Sequence, residues 1–203
     1  MSASLDERII YDVFALAELD DPRYSVLREA VIARLEAFEC ARSEHLQHFA
    51  RENVHKYENH GHSRTYVLIT PSDDEGIDVP AFFTVGMTVL DLSQASNSKR
   101  KKLSGGISLD ATGAYSIAEL ARSDRYSRSQ LPGSVILDEA KQVIASARLH
   151  VGGRFVVVDC RREVFQQLYE PAGFREIHVA QPPAGMESAS FLTACCLARD
   201  LMA

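Results

Sequence analysis

The sequence contains no apolar stretch that approaches the roughly 18 residues a membrane-spanning helix requires. Its first ten residues, MSASLDERII, also lack the basic segment followed by an apolar one that marks a secretory signal. These two absences predict a protein with no membrane association and a cytoplasmic location.

Cysteine is scarce and shows no metal-binding or redox spacing. The four cysteines are Cys40, Cys160, Cys195 and Cys196, and no C-x-x-C pair occurs among them. A catalytic thiol would need a neighbouring base, which the sequence does not identify. We therefore expect free, buried thiols of the kind found in a reducing compartment.

An excess of basic residues is also missing, since the formal net charge is -6. Proteins that bind nucleic acid over a broad surface are usually basic, so a negative net charge argues against such a surface. It leaves room for a local patch, and Lys99–Lys102 reads KRKK. This run is interpreted either as a solvated face or as a contact for a ligand phosphate or an RNA backbone.

The chain has 203 residues, of which 46% are hydrophobic, enough for the core of a single domain. Apolar residues recur at near-helical spacing through most of the first sixty positions, which predicts an N-terminal helical extension over residues 1–62. Ser4-Leu5-Asp6-Glu7 has the form of a capping box, so a first helix is expected to run to about Leu19. A long helical region is expected after Pro22.

The pattern changes after His62 and predicts mainly strands. A hairpin of two apolar runs opens this part, with a turn at residues 71–76. The other expected elements are strands at 114–122, 154–158, 175–180 and 190–197, and helices at 134–147 and 163–170.

The loop before the helix at 134–147 has the chemistry of an anion site. The first N–H groups of a helix lack intrahelical partners, and the helix dipole favours an anion beside them. Gly133 allows a phosphate to approach the backbone closely. Pro132 removes one N–H from this cradle but is well tolerated in a first helical turn. The order strand, loop, helix predicts a phosphate-bearing cofactor.

Two motifs in this part of the chain resemble the GNAT family of N-acetyltransferases. Gln130-Leu131-Pro132-Gly133-Ser134-Val135 is similar to the family's cofactor motif and departs from it at Val135, where a small residue is usual. Tyr169 followed by Gly173-Phe174 is similar to its second signature. The segments Ser63–Tyr66 and Ala81–Thr84 resemble the opening hairpin of members found near prophage and toxin–antitoxin genes. The resemblance covers roughly residues 63–203.

The resemblance implies an α/β GNAT fold: a mixed, mostly antiparallel sheet flanked by helices, forming one domain over residues 63–203. It also implies acetyl-CoA as cosubstrate and acetyl transfer to a primary amine by direct attack in a ternary complex. The cofactor-binding residues implied are Leu120, Ala121, Arg122, Arg128, Ser129, Gln130, Leu131, Gly133 and Ser134.

Two residues are candidates for catalysis. The tyrosine of the second signature, Tyr169, would protonate the departing thiolate, because a phenol is a proton donor at neutral pH. An ammonium group must lose a proton before it attacks, and some family members place a Glu base on the strand that here carries Glu119. A structurally paired Glu119 is the alternative. Arg162 stands where many members carry an Asn near the cofactor, so that contact is not carried over.

The acceptor amine cannot be read from the sequence, and three functions stay open. The first is a general amine acetyltransferase; the second is a toxin-type acetyltransferase of aminoacyl-tRNA with an antitoxin partner. The third is a module that binds CoA or a protein without catalysis. His45 and His48 have a spacing that can bind metal, but no ligand cluster completes a site, so no metal is predicted. A homodimer through an edge strand at 190–197 is also expected.

Overall fold

The computed structural model describes residues 7–72, 76–177 and 191–201, and they form a mixed α/β protein. The strands are β1 Asp12–Ala15, β2 Ser63–Ser72, β3 Gly76–Asp91, β4 Ala111–Arg122, β5 Phe155–Arg161, β6 Arg175–Ile177 and β7 Phe191–Leu197. The predicted turn at 73–75, the capping box at 4–6 and the strand residues 178–180 and 190 lie outside the described residues.

After residue 20, most helices lie where the sequence predicts them, whereas the helix at 97–103 is not among the predicted elements. The helices are α1 Ser25–Glu36, α2 Glu44–His48, α3 Val54–Asn59, α4 Asn97–Leu103, α5 Gly133–Ala147 and α6 Arg162–Val164. Two π-helical turns, Phe49–Asn53 and Phe165–Tyr169, continue α2 and α6. Short 3-10 turns cover Leu16–Asp20, Pro22–Tyr24 and Ala198–Asp200.

The expected first helix is wrong, because Asp12–Ala15 forms a strand. β1 pairs antiparallel with β2, with Val13 opposite Leu68. The apolar residues of this segment fit a helical and a strand period, and the β-branched side chain of Val13 favours a strand once a partner edge exists. Sheet pairing leaves Val13, Phe14 and Ala15 half-buried, and the 3-10 turn that follows buries Leu16 and Leu19.

The hydrogen-bonded order of the strands is β1-β2-β3-β4-β5-β7-β6. β4 and β5 are parallel, whereas β1–β2, β5–β7 and β6–β7 are antiparallel. The predicted mixed sheet is confirmed. The prediction that residues 190–197 form an edge strand is wrong, because β7 is hydrogen-bonded on one side to β5 and on the other to β6. A strand whose backbone is used on both sides offers no edge to a second copy.

The chain divides into two compact units. The first consists of Met1–Val85 and Glu119–Ala140, the second of Gly86–Ala118 and Lys141–Ala203. In the first unit, the helical residues Val31, Leu35 and Phe49 pack in one buried cluster with sheet residues that include Phe82. This packing explains why the apolar stripes of the first sixty residues are helical.

A buried cluster of the second unit is built from β3, β4, β5 and β7. It contains Leu90, Ala114, Phe155, Val157 and Cys195. β5 is buried from Phe155 to Val158, as expected for a strand covered on both faces. The cysteines are free; burial raises the pKa of the Cys160 thiol to about 12 and that of the Cys195 thiol to about 11.

Among the described residues, no helix has both the length and the apolar character needed to cross a membrane.

Candidate functional site

The β4–α5 loop, residues 123–132, is stabilised by its own side chains. The Ser127 N–H donates to Gln130 Oε1 at 2.9 Å, and the Gln130 N–H donates to Ser127 Oγ at 3.2 Å. The Leu131 N–H donates to the carbonyl of Ser127 at 3.1 Å. The Gln130 side chain, predicted to bind a cofactor, therefore has a structural task in this loop, where it fixes the turn that leads into α5.

The loop is also attached to the body of the first unit. The Tyr126 hydroxyl donates to Asp78 Oδ2 at 2.8 Å, and the Arg125 guanidinium lies 3.3 Å from Asp78 Oδ1. Asp78 is buried, with 4% of its surface exposed, and burial together with this carboxylate raises the pKa of the Tyr126 phenol. The Ser123 N–H donates to the carbonyl of Pro80 at 2.9 Å. A loop fixed at several points keeps its backbone groups in place before a ligand arrives.

α5 begins directly after the loop, at Gly133. The N–H groups of Gly133 and Ser134 lie in its first turn, where a helix offers them no carbonyl partner. The Val135 N–H donates to the carbonyl of Pro132 at 3.0 Å. The predicted helix start and the predicted place of Pro132 agree with the structure, and the backbone there has the orientation that favours an anion.

Arginine side chains gather beside this helix start. An Arg122 terminal nitrogen donates to the carbonyl of Leu131 at 2.8 Å, whereas Arg122 Nε is buried and has no hydrogen-bond partner. Burial, and then repulsion from Arg42 and Arg128, lower the pKa of the Arg122 guanidinium. An unsatisfied buried donor among like charges is costly in an empty site and is relieved by an anion.

Arg42 was missed in the sequence. It comes from the segment between α1 and α2, donates to the carbonyl of Arg122 at 2.8 Å and lies 3.1 Å from Asp124 in an ion pair. No local motif marks it, since 80 residues separate it from Arg122 along the chain. It adds a third guanidinium group to those of Arg122 and Arg128.

The other predicted cofactor residues differ in what they can contribute. Arg128, Ser129 and Ser134 are exposed, and Leu120 is half-buried. Ala121 and Leu131 are only 2% and 1% exposed, so their side chains belong to the core and only their backbone can face a ligand. The cofactor role of all these positions remains a prediction.

Glu119 is paired with a histidine from α2. His45 Nε2 lies 2.8 Å from Glu119 Oε1, and the hydrogen bond to this carboxylate raises the pKa of the imidazole. The Glu119 N–H donates to the Thr84 side chain at 3.0 Å. Glu119 is 14% exposed and His45 60% exposed, so a partly buried carboxylate connects to solvent through an imidazole. The sequence indicates both residues, but Glu119 as a candidate general base and His45 as a candidate metal ligand.

Tyr169 belongs to the second unit. It ends the π-helical turn Phe165–Tyr169 and is 6% exposed, with its ring edge-on to Phe174 at 5.4 Å between centroids. The Phe174 N–H donates to the carbonyl of Tyr169 at 3.0 Å. Gly173 has φ of 92°, a conformation that favours glycine, so the Gly-Phe pair turns the chain back onto Tyr169.

Arg162, the position that departs from the family motif, forms an ion pair with Glu176 at 2.9 Å and is exposed. This pairing connects the start of α6 to β6. The ion pair with Glu176 is sufficient to explain an arginine at position 162, and no contact with a ligand is needed.

The described elements match those of the GNAT fold: a mixed sheet, a loop and helix start after β4, and a tyrosine with a Gly-Phe turn after β5. Solved structures agree. A Tyr-to-Phe mutant of KacT is similar over 94% of this chain and 96% of its own, with 15% identity and a TM-score of 0.68.

Two structures of AtaT are also similar. AtaT complexed with acetyl-methionyl-tRNAfMet matches 91% of this chain and 94% of its own, with 21% identity and a TM-score of 0.64. The Tyr-to-Phe mutant toxin of AtaT, bound to the C-terminus of the antitoxin AtaR and acetyl-CoA, matches 94% and 95%, with 16% identity and a TM-score of 0.65. No family model matches the sequence. No curated protein matches it either. The predicted GNAT fold, including its likeness to toxin-associated members, is confirmed.

Proposed function

We propose that this chain is a toxin-type N-acetyltransferase, which transfers the acetyl group of acetyl-CoA to the α-amino group of an aminoacyl-tRNA. The observation that carries the proposal is the buried Arg122 Nε without a partner, beside the start of α5 and two further arginines. Two fold neighbours support the cosubstrate and acceptor, one being complexed with acetyl-methionyl-tRNAfMet and the other bound to acetyl-CoA.

The first unit fits a pyrophosphate. Arg122, Arg128 and Arg42 would supply its positive charge, and the N–H groups of Gly133 and Ser134 would donate to its oxygens. Leu120 and Ala121 would face the pantetheine arm through the backbone of β4. The loop needs little reorganisation to bind, because Gln130 and Asp78 already fix it.

The acceptor amine is easier to activate if it is an α-amino group. A lysine-like amine has a pKa of about 10.4, whereas an α-amino group has a pKa of about 7.7, so roughly a sixth of it is already unprotonated at pH 7. Glu119 and His45 would take up the remaining proton: the carboxylate accepts it and the exposed imidazole passes it to water. Because part of the amine is already unprotonated, a weak general base is sufficient for such a substrate.

In the transfer itself, the unprotonated amine nitrogen forms a bond to the thioester carbonyl carbon and the carbon–sulfur bond breaks. The sulfur leaves with the electron pair of that bond. Tyr169 would donate its hydroxyl proton to this sulfur and regain a proton from solvent or from the attacking amine. The products are an acetylated aminoacyl ester and free CoA.

The experiment compares acceptors under one condition. Purified protein and radiolabelled acetyl-CoA are incubated with charged tRNA, uncharged tRNA, a polyamine and a lysine peptide, and acetylated product is quantified. Label on charged tRNA alone supports the proposal. Label on the polyamine or the peptide and not on charged tRNA would make the chain a general amine acetyltransferase.

A module without catalysis is the remaining alternative, suggested by Val135 and Pro132 in the cofactor motif. It predicts acetyl-CoA binding with no label on any acceptor and no difference between the wild type and Tyr169→Phe. An antitoxin-like partner would then be the only ligand left to find.

We further propose a cytoplasmic location, which the free thiols and the proposed substrates support. A homodimer remains a prediction, and the exposed Met87 and Val89 of β3, 57% and 70% exposed, are better candidates for its contact than β7. Sedimentation of the wild type and of Val89→Lys would test this.

A further inference from the structure

The second unit contains a cavity lined by three arginines. Its volume is about 310 Å³, and it is formed by Arg148, Gly153, Arg154, Leu197 and Arg199. None of these residues belongs to the candidate acetyl-CoA loop, which lies in the first unit.

Backbone carbonyls, rather than carboxylates, hold two of the three guanidinium groups. Arg148 donates to the carbonyl of Ala198 at 2.8 Å, and Arg154 donates through Nε to the carbonyl of Leu103. Within the described ranges, neither Arg148 nor Arg154 forms an ion pair. A carbonyl satisfies a donor without cancelling its charge, so two full positive charges remain at the cavity.

The third arginine has only a weak partner. Arg199 Nε lies 3.3 Å from Asp200 Oδ1, and the two side chains are 66% and 56% exposed. Exposed pairs of this kind contribute little and exchange readily with other ligands. An incoming anion can therefore replace Asp200 at Arg199.

The wall of the cavity is preformed. The Tyr115 hydroxyl donates to the carbonyl of Val151, and a Cβ added to Gly153 would lie 2.2 Å from Tyr115 Cε2. Only glycine lets the chain approach the ring this closely. The turn that precedes β5 is thus fixed against β4, which holds Arg154 in position.

The positive charge continues beyond the cavity onto α4. Arg154 contacts the carbonyl of Leu103, the last residue of α4, and this helix carries the exposed Lys99, Lys101 and Lys102. Three arginines at the cavity, beside a helix with three exposed lysines, carry more positive charge than a single small anion needs. It matches a ligand with repeated phosphates.

We infer that the arginine cavity binds a backbone phosphate of a nucleic acid, with α4 along the neighbouring phosphates. This inference rests on the proposed function in one respect: tRNA is chosen as the nucleic acid for the test because it is the proposed acceptor. It also accounts for a nucleic-acid contact in a chain of net charge -6, because the charge is concentrated in one place.

The test measures binding of fluorescently labelled, uncharged tRNA by anisotropy at several salt concentrations, without acetyl-CoA. Arg199→Gln should weaken binding roughly five- to eightfold at 100 mM salt and lower the salt slope by about one. Asp200→Asn should strengthen binding, because it removes the competing carboxylate. Arg148→Gln should act like Arg199→Gln.

The chain provides matched controls in the first unit. Arg28 and Asp20 form an exposed pair at 2.9 Å of the same kind, so Arg28→Gln and Asp20→Asn change the net charge equally. The inference is wrong if Arg28→Gln weakens tRNA binding as much as Arg199→Gln does. It is also wrong if polyglutamate displaces the tRNA as well as unlabelled RNA does, since the cavity would then recognise carboxylates.

This assay is independent of catalysis. Salt-sensitive tRNA binding that depends on Arg199, together with no acetylation of charged tRNA, would retain the inference and reject the proposed function. If charged tRNA is acetylated but neither Arg199→Gln nor Arg148→Gln changes the affinity for tRNA, the proposed function is retained and the inference is rejected.

Discussion

His45 Nε2 and Glu119 Oε1 lie 2.8 Å apart, which connects a partly buried carboxylate on β4 to an exposed imidazole on α2. The residues are 74 positions apart in the sequence, and both belong to the first unit. In the proposed reaction, this pair would give Glu119 a proton exit to solvent that a lone carboxylate on a strand would lack.

We expect the pair to be visible in pH titrations. The hydrogen bond to Glu119 raises the pKa of His45. A raised folded-state pKa means that the pair adds stability that is fully present below the unfolded pKa of about 6.5 and is lost as the pH rises through the folded value. Because His45 is 60% exposed, the gain should stay below about 1 kcal/mol.

The measurement is an NMR titration of the imidazole in the wild type and in Glu119→Gln. The pKa of His45 should fall towards its ordinary value in the variant, because the hydrogen bond to the carboxylate is lost. An unchanged His45 pKa in Glu119→Gln would show that the contact does not exist in solution.

Gly133→Glu should abolish acetyl-CoA binding. The new carboxylate would lie at the first turn of α5, where the proposed pyrophosphate needs positive charge. Calorimetry measures the loss. Gly113→Glu is the matched control, because Gly113 is an exposed β4 residue whose added Cβ meets nothing within 4 Å. Equal loss of binding in both variants would point to net charge and not to the loop.

Arg122→Gln should weaken acetyl-CoA binding by about 1.5–3 kcal/mol, or roughly ten- to 150-fold in Kd, since it removes a charge-assisted donor. It should cost the unliganded protein less stability than a buried arginine usually does, because repulsion from Arg42 and Arg128 is relieved. Thermal unfolding with and without acetyl-CoA separates the two effects. Strong destabilisation of the unliganded variant, with unchanged ligand affinity, would make Arg122 purely structural.

The sequence was sufficient for the loop, for α5 and for the Tyr-Gly-Phe turn, because the evidence for each is local. Gly133 marks a helix start, and Gly173 has the positive φ that its turn requires. Val13 and Phe14 were misassigned to a helix, since the decisive partner is β2, some fifty residues later. Arg42 and the pairing of His45 with Glu119 were missed for the same reason: both depend on tertiary contacts that leave no periodic signal.

Tyr169→Phe should lower kcat for acetyl transfer by about 10²–10⁴, the usual contribution of general acid catalysis, with little change in acetyl-CoA affinity. The fold should persist, because the variant keeps the ring that packs on Phe174. Kinetics and calorimetry on one preparation test both statements. Activity equal to that of the wild type would exclude Tyr169 as the proton donor.

Gly153→Ala should destabilise the protein by about 1–3 kcal/mol, the usual cost of overpacking, because the new Cβ would overlap the Tyr115 ring. Gly152→Ala is the matched control one residue earlier, where an added Cβ meets nothing within 4 Å. Denaturant unfolding gives both free energies. In a Tyr115→Ala background the ring is absent, so Gly153→Ala should cost nothing beyond that background. If Gly153→Ala still lowers the free energy of unfolding in the Tyr115→Ala background, the backbone conformation and not the ring requires glycine at this wall of the arginine cavity.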